Sequence, residues 1–105
     1  MELSLDGEHG RALLYGELDM ASTDWLQAVL DEVRQDGCRF LVLDLSKLKF
    51  LGVTGLEVIV RIAREYAEAG GQITLTRPTR TVRRVLDLTG LNDQLALPER
   101  PELPP

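Results

Sequence analysis

Few side chains in this sequence are placed to do chemistry. Asp19 and Asp44 both fall at or near the carboxyl ends of expected strands, the edge where open α/β sheets collect ligands. A carboxylate pair there would suit general acid–base work or a magnesium ion; the plainer role is that each orients the loop it starts, and no third polar group joins them. The single histidine, His9, lies in the turn sequence Asp6-Gly7-Glu8-His9-Gly10 with no carboxylate or serine at local spacing to activate it. The single cysteine, Cys38, stands where a strand begins and reads as a small packed hydrophobe. One cysteine and one histidine exclude an internal disulfide, a thiolate-rich zinc site and a multi-histidine metal site. No Gly-x-Gly-x-x-Gly follows a strand and no Walker-type loop is present, so no catalytic residue, metal or cofactor is assigned.

Thr54 is different in kind. It opens a helical stretch and immediately precedes Gly55-Leu56. A hydroxyl at a helix start can accept from backbone N–H groups that lack intrahelical partners, and the same N–H groups favour an added phosphate. From position alone it reads either as a simple helix cap or as a modifiable surface hydroxyl. Arg77, Arg80, Arg83 and Arg84 form the other cluster, with Arg83 and Asp87 spaced to pair at i, i+4. That cluster is either a solvated helix face or a docking patch for an acidic partner.

These residues need elements to hold them. Leu3 and Leu5 alternate with polar neighbours as a strand, the turn at 6–10 follows, and Ala12 to Tyr15 form a second strand, giving an antiparallel hairpin. Gly16-Glu17-Leu18-Asp19 leads out of it. Ser22 or Thr23 caps a helix whose apolar stripe is Trp25, Leu26, Val29, Leu30 and Val33, ended by Asp36-Gly37. Phe40 to Leu45 is a nearly continuous apolar run, as in a strand covered on both faces, and 46–52 is read as a loop. From Thr54, the residues Leu56, Ile59, Val60, Ala63 and Ala67 share a helical face, stopped by Gly70-Gly71. Val58 and Ile62 form a second stripe, either packed on the third helix or left as a small apolar docking strip. Ile73 and Leu75 begin a further strand. Arg77-Pro78-Thr79 then starts a third helix facing inward through Val82, Val85 and Leu86, with Gly90 as its end. Residues 92–97 fit a short helix or a last strand equally.

The predicted order is β-β-α-β-α-β-α: a single small α/β domain over 1–97, with a mixed, mostly parallel sheet of four to five strands, an antiparallel N-terminal hairpin strand, and three to four helices covering most of it. Residues 98–105, Pro-Glu-Arg-Pro-Glu-Leu-Pro-Pro, form a proline-rich tail.

Composition agrees with a globular domain: 105 residues, 44% hydrophobic and 28% charged. A net charge of 12 − 17 = −5 argues against nucleic acid as a direct ligand. The charge is uneven, with 2 basic and 9 acidic side chains in residues 1–36. No apolar run reaches about 18 residues, and the start lacks the form of a signal peptide, so no membrane is expected and the cytoplasm is the expected compartment.

Three segments carry a resemblance: Gly16-Glu17-Leu18-Asp19, Leu41-Val42-Leu43-Asp44-Leu45-Ser46 with Phe50-Leu51-Gly52-Val53-Thr54-Gly55-Leu56, and Val82-Arg83-Arg84-Val85-Leu86-Asp87-Leu88-Thr89-Gly90-Leu91. In this order, over roughly residues 3 to 97, they resemble the STAS domain and, within it, the bacterial anti-sigma factor antagonists. The resemblance implies a non-enzymatic binding switch. It implies a partner that is an anti-sigma factor and serine/threonine protein kinase of the histidine-kinase-like ATPase type, and a phosphatase that reverses the modification. By position Thr54 matches the phospho-acceptor, and Asp19, Gly52, Val53, Gly55, Leu56, Glu57 and Val58 fall in the implied partner-binding surface. The family motif reads Asp-Ser-[Ser/Thr]-Gly-Leu; here Gly52 replaces its aspartate and Val53 its first serine, while Glu57 stands where a glycine is frequent. An edge strand near Leu3, or the tail, would allow a homodimer.

Overall fold

The computed structural model describes residues 1–89. Seven elements follow one another: β1 (Glu2–Asp6), β2 (His9–Leu18), α1 (Thr23–Gln35), β3 (Phe40–Leu51), α2 (Val53–Glu68), β4 (Gln72–Thr76) and α3 (Arg80–Thr89). This is the expected order. The Gly90 helix end, the element expected within 92–97 and the tail at 98–105 lie outside the described residues.

The four strands pair in sequence order, β1 antiparallel to β2 and the rest parallel. Asp6 pairs with His9 across a two-residue turn, where Gly7 takes the left-handed conformation such hairpins require (φ 63°). Because β2, β3 and β4 step across the sheet in one direction, right-handed crossovers put α1 and α2 on the same face. There they pack on each other, the buried Tyr66 hydroxyl donating to the Leu30 carbonyl at 2.9 Å. The expectation of helices over most of the sheet is therefore corrected. Leu41, Leu43 and Leu45 are buried, whereas Phe40 is exposed and Val42 only half-buried on the opposite face.

A second correction concerns 46–51, which is strand rather than loop. The pairing of β2 with β3 shifts register twice, between Leu13 and Tyr15 and between Gly16 and Glu17. Each shift inserts one residue into β3 as a bulge. Two extra residues turn a spacing of two into three, so Leu45, Leu48 and Leu51 all stay on the core side, opposite Leu14 and Leu18. Alternation of polar and apolar residues, the usual sign of a strand, is lost there.

One core takes in Leu26, Leu30 and Val33 of α1, seven buried residues of α2 from Leu56 to Tyr66, and Val82 and Leu86 of α3. Trp25 leaves the expected stripe and is 54% exposed. Ser22 is the N-cap of α1 without a side-chain capping bond. Thr79 does cap α3, its Oγ1 accepting the Val82 N–H at 3.2 Å.

Candidate functional site

β2 and β3 end side by side, Leu18 opposite Leu51, and the next residue of β3's strand turns straight into α2. The Leu18 carbonyl accepts the Gly52 N–H at 2.9 Å, and Gly52, extended at φ −84° and ψ 170°, is the N-cap. Its carbonyl accepts the Leu56 N–H at 3.0 Å and begins the helix. The approach is close. A Cβ on Gly55 would lie 2.8 Å from the Leu18 oxygen and 2.9 Å from its Cγ, so glycine is required there on steric grounds. A Cβ on Gly52 would meet the Phe50 ring at 3.3 Å, so an aspartate at 52 would need that ring to give slightly.

Thr54 is thus the second residue of α2, not its cap. No side-chain hydrogen bond caps the helix, and among the described residues the half-buried Thr54 hydroxyl has no partner. The N–H groups of Val53, Thr54 and Gly55 precede the first intrahelical bond and carry the positive end of the helix dipole. Val53 beside them is 67% exposed, and Glu57 is exposed one turn on. The other three residues of the implied surface on α2 are buried. Gly55 is sealed against Leu18, Leu56 is in the core, and Val58 is buried on the stripe that runs through Ile62 to Tyr66 and packs on α1. Val58 and Ile62 are both buried rather than left as an exposed strip, on the side of α2 that meets α1 through Tyr66.

Asp19 follows Leu18 directly, so its loop and the start of α2 hang from the same residue. The loop is tied internally. Asp19 Oδ1 accepts the Ala21 N–H at 3.1 Å, Ser22 Oγ accepts the Asp19 N–H at 3.1 Å, and Thr23 Oγ1 donates to the Met20 carbonyl at 3.3 Å. Asp19 therefore orients its own loop, and Met20 at its tip is 75% exposed.

Asp44 belongs elsewhere. It sits mid-strand in β3, opposite Leu13, and Asp19 lies six residues beyond Leu13, roughly 20 Å at about 3.3 Å per residue. The two carboxylates do not converge, and the acid–base or magnesium reading of the pair lapses. Asp44 is 3% exposed. Its Oδ2 accepts from Arg11 at 2.9 Å and from Arg77 at 3.0 Å, and its Oδ1 from the Ser46 N–H at 2.9 Å. Burial opposes its charge, but the Ser46 N–H and hydroxyl and the Arg77 guanidinium outweigh it and hold the carboxyl well below the usual range. Sequence reading missed this clamp, because Arg11 and Arg77 are distant in sequence and Arg77 bends into the left-handed region (φ 51°) to reach it. The arginine cluster is thereby split: Arg77 is committed to Asp44, and Arg83 pairs with Asp87 at 3.5 Å as the spacing predicts.

His9 stacks on Phe40 with ring centroids 5.2 Å apart, and burial pushes the Cys38 thiol up. Among the described residues no group of three or more His, Cys, Asp or Glu could hold a metal, and no helix is long and apolar enough to cross a membrane.

Comparison with known proteins agrees with this architecture. A family model described as the STAS domain matches residues 13–102. The anti-sigma F factor antagonist of Paenibacillus polymyxa is 32% identical over 96 residues, covering 87% of this chain and 82% of that protein. A solved anti-sigma factor antagonist from Mycobacterium paratuberculosis is 25% identical with a TM-score of 0.81, covering 96% and 86% of the two chains. The Bacillus cell fate determinant SpoIIAA, solved in its phosphorylated form, shares the fold at 22% identity and a TM-score of 0.72, covering 96% and 93%. The hairpin, the bulged β3 and the Thr54-Gly55-Leu56 helix start therefore belong to a member of the STAS domain family, in its branch of anti-sigma factor antagonists.

Proposed function

We propose that this chain binds an anti-sigma factor through the first turn of α2 and the adjoining Asp19 loop, and that the same partner, a serine/threonine kinase of the histidine-kinase-like ATPase type, ends the complex by phosphorylating Thr54. In that step the Thr54 oxygen takes the γ-phosphoryl group of ATP, ADP leaves and the hydroxyl proton is released; a phosphatase hydrolyses the ester and restores binding. The observation that carries the reading is the unengaged Thr54 hydroxyl on an outward-facing first turn that Leu18 fixes to the end of the sheet.

Phosphorylation brings about −1.5 to −2 charges onto a surface matched to a neutral hydroxyl. Three free N–H groups partly compensate within this chain, while exposed Glu57 opposes. A partner interface without spare cations would then lose its fit. The test uses a purified anti-sigma factor of the kinase type together with the full chain. One phosphate is expected on Thr54 in the presence of ATP. Thr54→Ala should bind and Thr54→Glu should not; equal binding by both removes the switch.

A second reading is favoured by Gly52, Val53 and Glu57: a STAS binding or scaffold module that is never phosphorylated and serves a different protein or a small ligand. It predicts an unmodified Thr54 with that kinase.

A further inference from the structure

We infer that a pocket between the end of β2 and the first turn of α1 is a second anchoring point for the partner, receiving an apolar side chain carried on a basic segment. The inference rests on the binding reading above and adds to it a contact outside α2. The pocket measures about 140 Å³. A cavity of about 150 Å³ can hold a benzene ring, so this one has room for one aliphatic or aromatic side chain. Its floor is apolar, made by Leu14, Leu18 and Leu26, all buried; its walls are Tyr15 and Trp25, both about half exposed, and Glu17 stands at its rim.

Three observations fix what should enter it. Trp25 is the only tryptophan of the chain and stands at a helical position whose neighbours Leu26 and Leu30 are fully buried, yet half of it faces water. Trp and Tyr flanking an apolar recess are the side chains that most often dominate binding energy at protein interfaces. The surroundings are acidic: Glu17 at the rim and Asp24 beside Trp25 are exposed and form no ion pair among the described residues, within a segment of 2 basic and 9 acidic side chains. Lys47 pairs with Tyr15 in the sheet but does not line the pocket. An apolar anchor with Lys or Arg next to it is the complement of this surface. Finally, Leu18 belongs to both places: its side chain lines the pocket and its carbonyl holds Gly52, so one partner surface reaches the pocket and Thr54 together.

Because the pocket lies outside α2, its contribution should persist whatever the state of Thr54, leaving the hydroxyl to decide and the pocket to hold. Titration calorimetry of the full chain with the kinase named above tests this. Trp25→Ala is expected to weaken binding about 30-fold and Trp25→Tyr to restore most of it. Glu17→Lys with Asp24→Lys should weaken binding at least about tenfold and reverse its sensitivity to salt. Trp25→Ala binding within twofold of the parent, while Thr54→Glu still abolishes binding, would overturn the pocket and leave the switch intact. Failure of the parent chain to bind the kinase at all would remove the switch, and the pocket's proposed occupant with it.

Discussion

The carbonyl oxygen of Leu18 would lie 2.8 Å from a Cβ on Gly55, closer than any side chain can approach without displacing backbone. This contact joins the end of one strand to the first turn of a helix that starts 35 residues later in the chain, and it sets the angle at which Thr54 is presented.

Gly55→Ala should therefore cost about 1–3 kcal/mol, the usual penalty of overpacking a filled site, although alanine is the better helix former. Urea denaturation measures the loss. The same variant should weaken partner binding beyond what stability explains, since the first turn must tilt away from Leu18.

Asp44→Asn removes a buried carboxylate that receives two guanidinium groups and a backbone N–H. The expected loss at pH 7 is about 1–3 kcal/mol, the range for charge-assisted hydrogen bonds. The pH dependence has a definite sign. Folding depresses this carboxyl, so its stabilisation is complete above the unfolded value of about 3.9 and declines only as pH falls below it toward the folded value. Parent and variant should differ equally at pH 7 and pH 5 and converge only in strong acid, as equilibrium unfolding at each pH would report.

Glu65 responds in the opposite sense. Desolvation and then the neighbouring Asp31 push its carboxyl up, with Arg34 and Arg61 pulling it back. A raised folded value means that the ionised form disfavours folding; the penalty is complete above the folded value and absent below the unfolded one, about 4.3. Glu65→Gln should raise stability at pH 7 by a few tenths of a kcal/mol, about the scale of partly exposed pairs, and the gain should vanish near pH 4. Thermal melts at the two pH values distinguish this from a general effect of the amide.

What was readable from the sequence was whatever local pattern controls. The helical stripes of α1 and α2, the hairpin with Gly7 at its turn and the Thr79 cap all depend on neighbours a few residues apart. The residues around Thr54 were legible through their order, but not which of them face outward. Val58 and Leu56 look like surface candidates until α1 and the sheet are set against them. The bulges of β3 were hidden because they replace a period of two by steps of three, and their register is set by β2. The Asp44 clamp was hidden for a related reason: it joins residues 33 apart on either side through side chains, and nothing near Asp44 announces Arg11 or Arg77.

The outward placement of Trp25 and the full burial of Tyr66 also decide how the molecule looks to a spectrometer. Its only indole already sits half in solvent when folded, so emission should change little as the core melts. The phenol of Tyr66, locked to Leu30 between α1 and α2, is the chromophore that senses the interior. Near-ultraviolet dichroism should follow denaturation of this protein, and fluorescence should follow events at its rim.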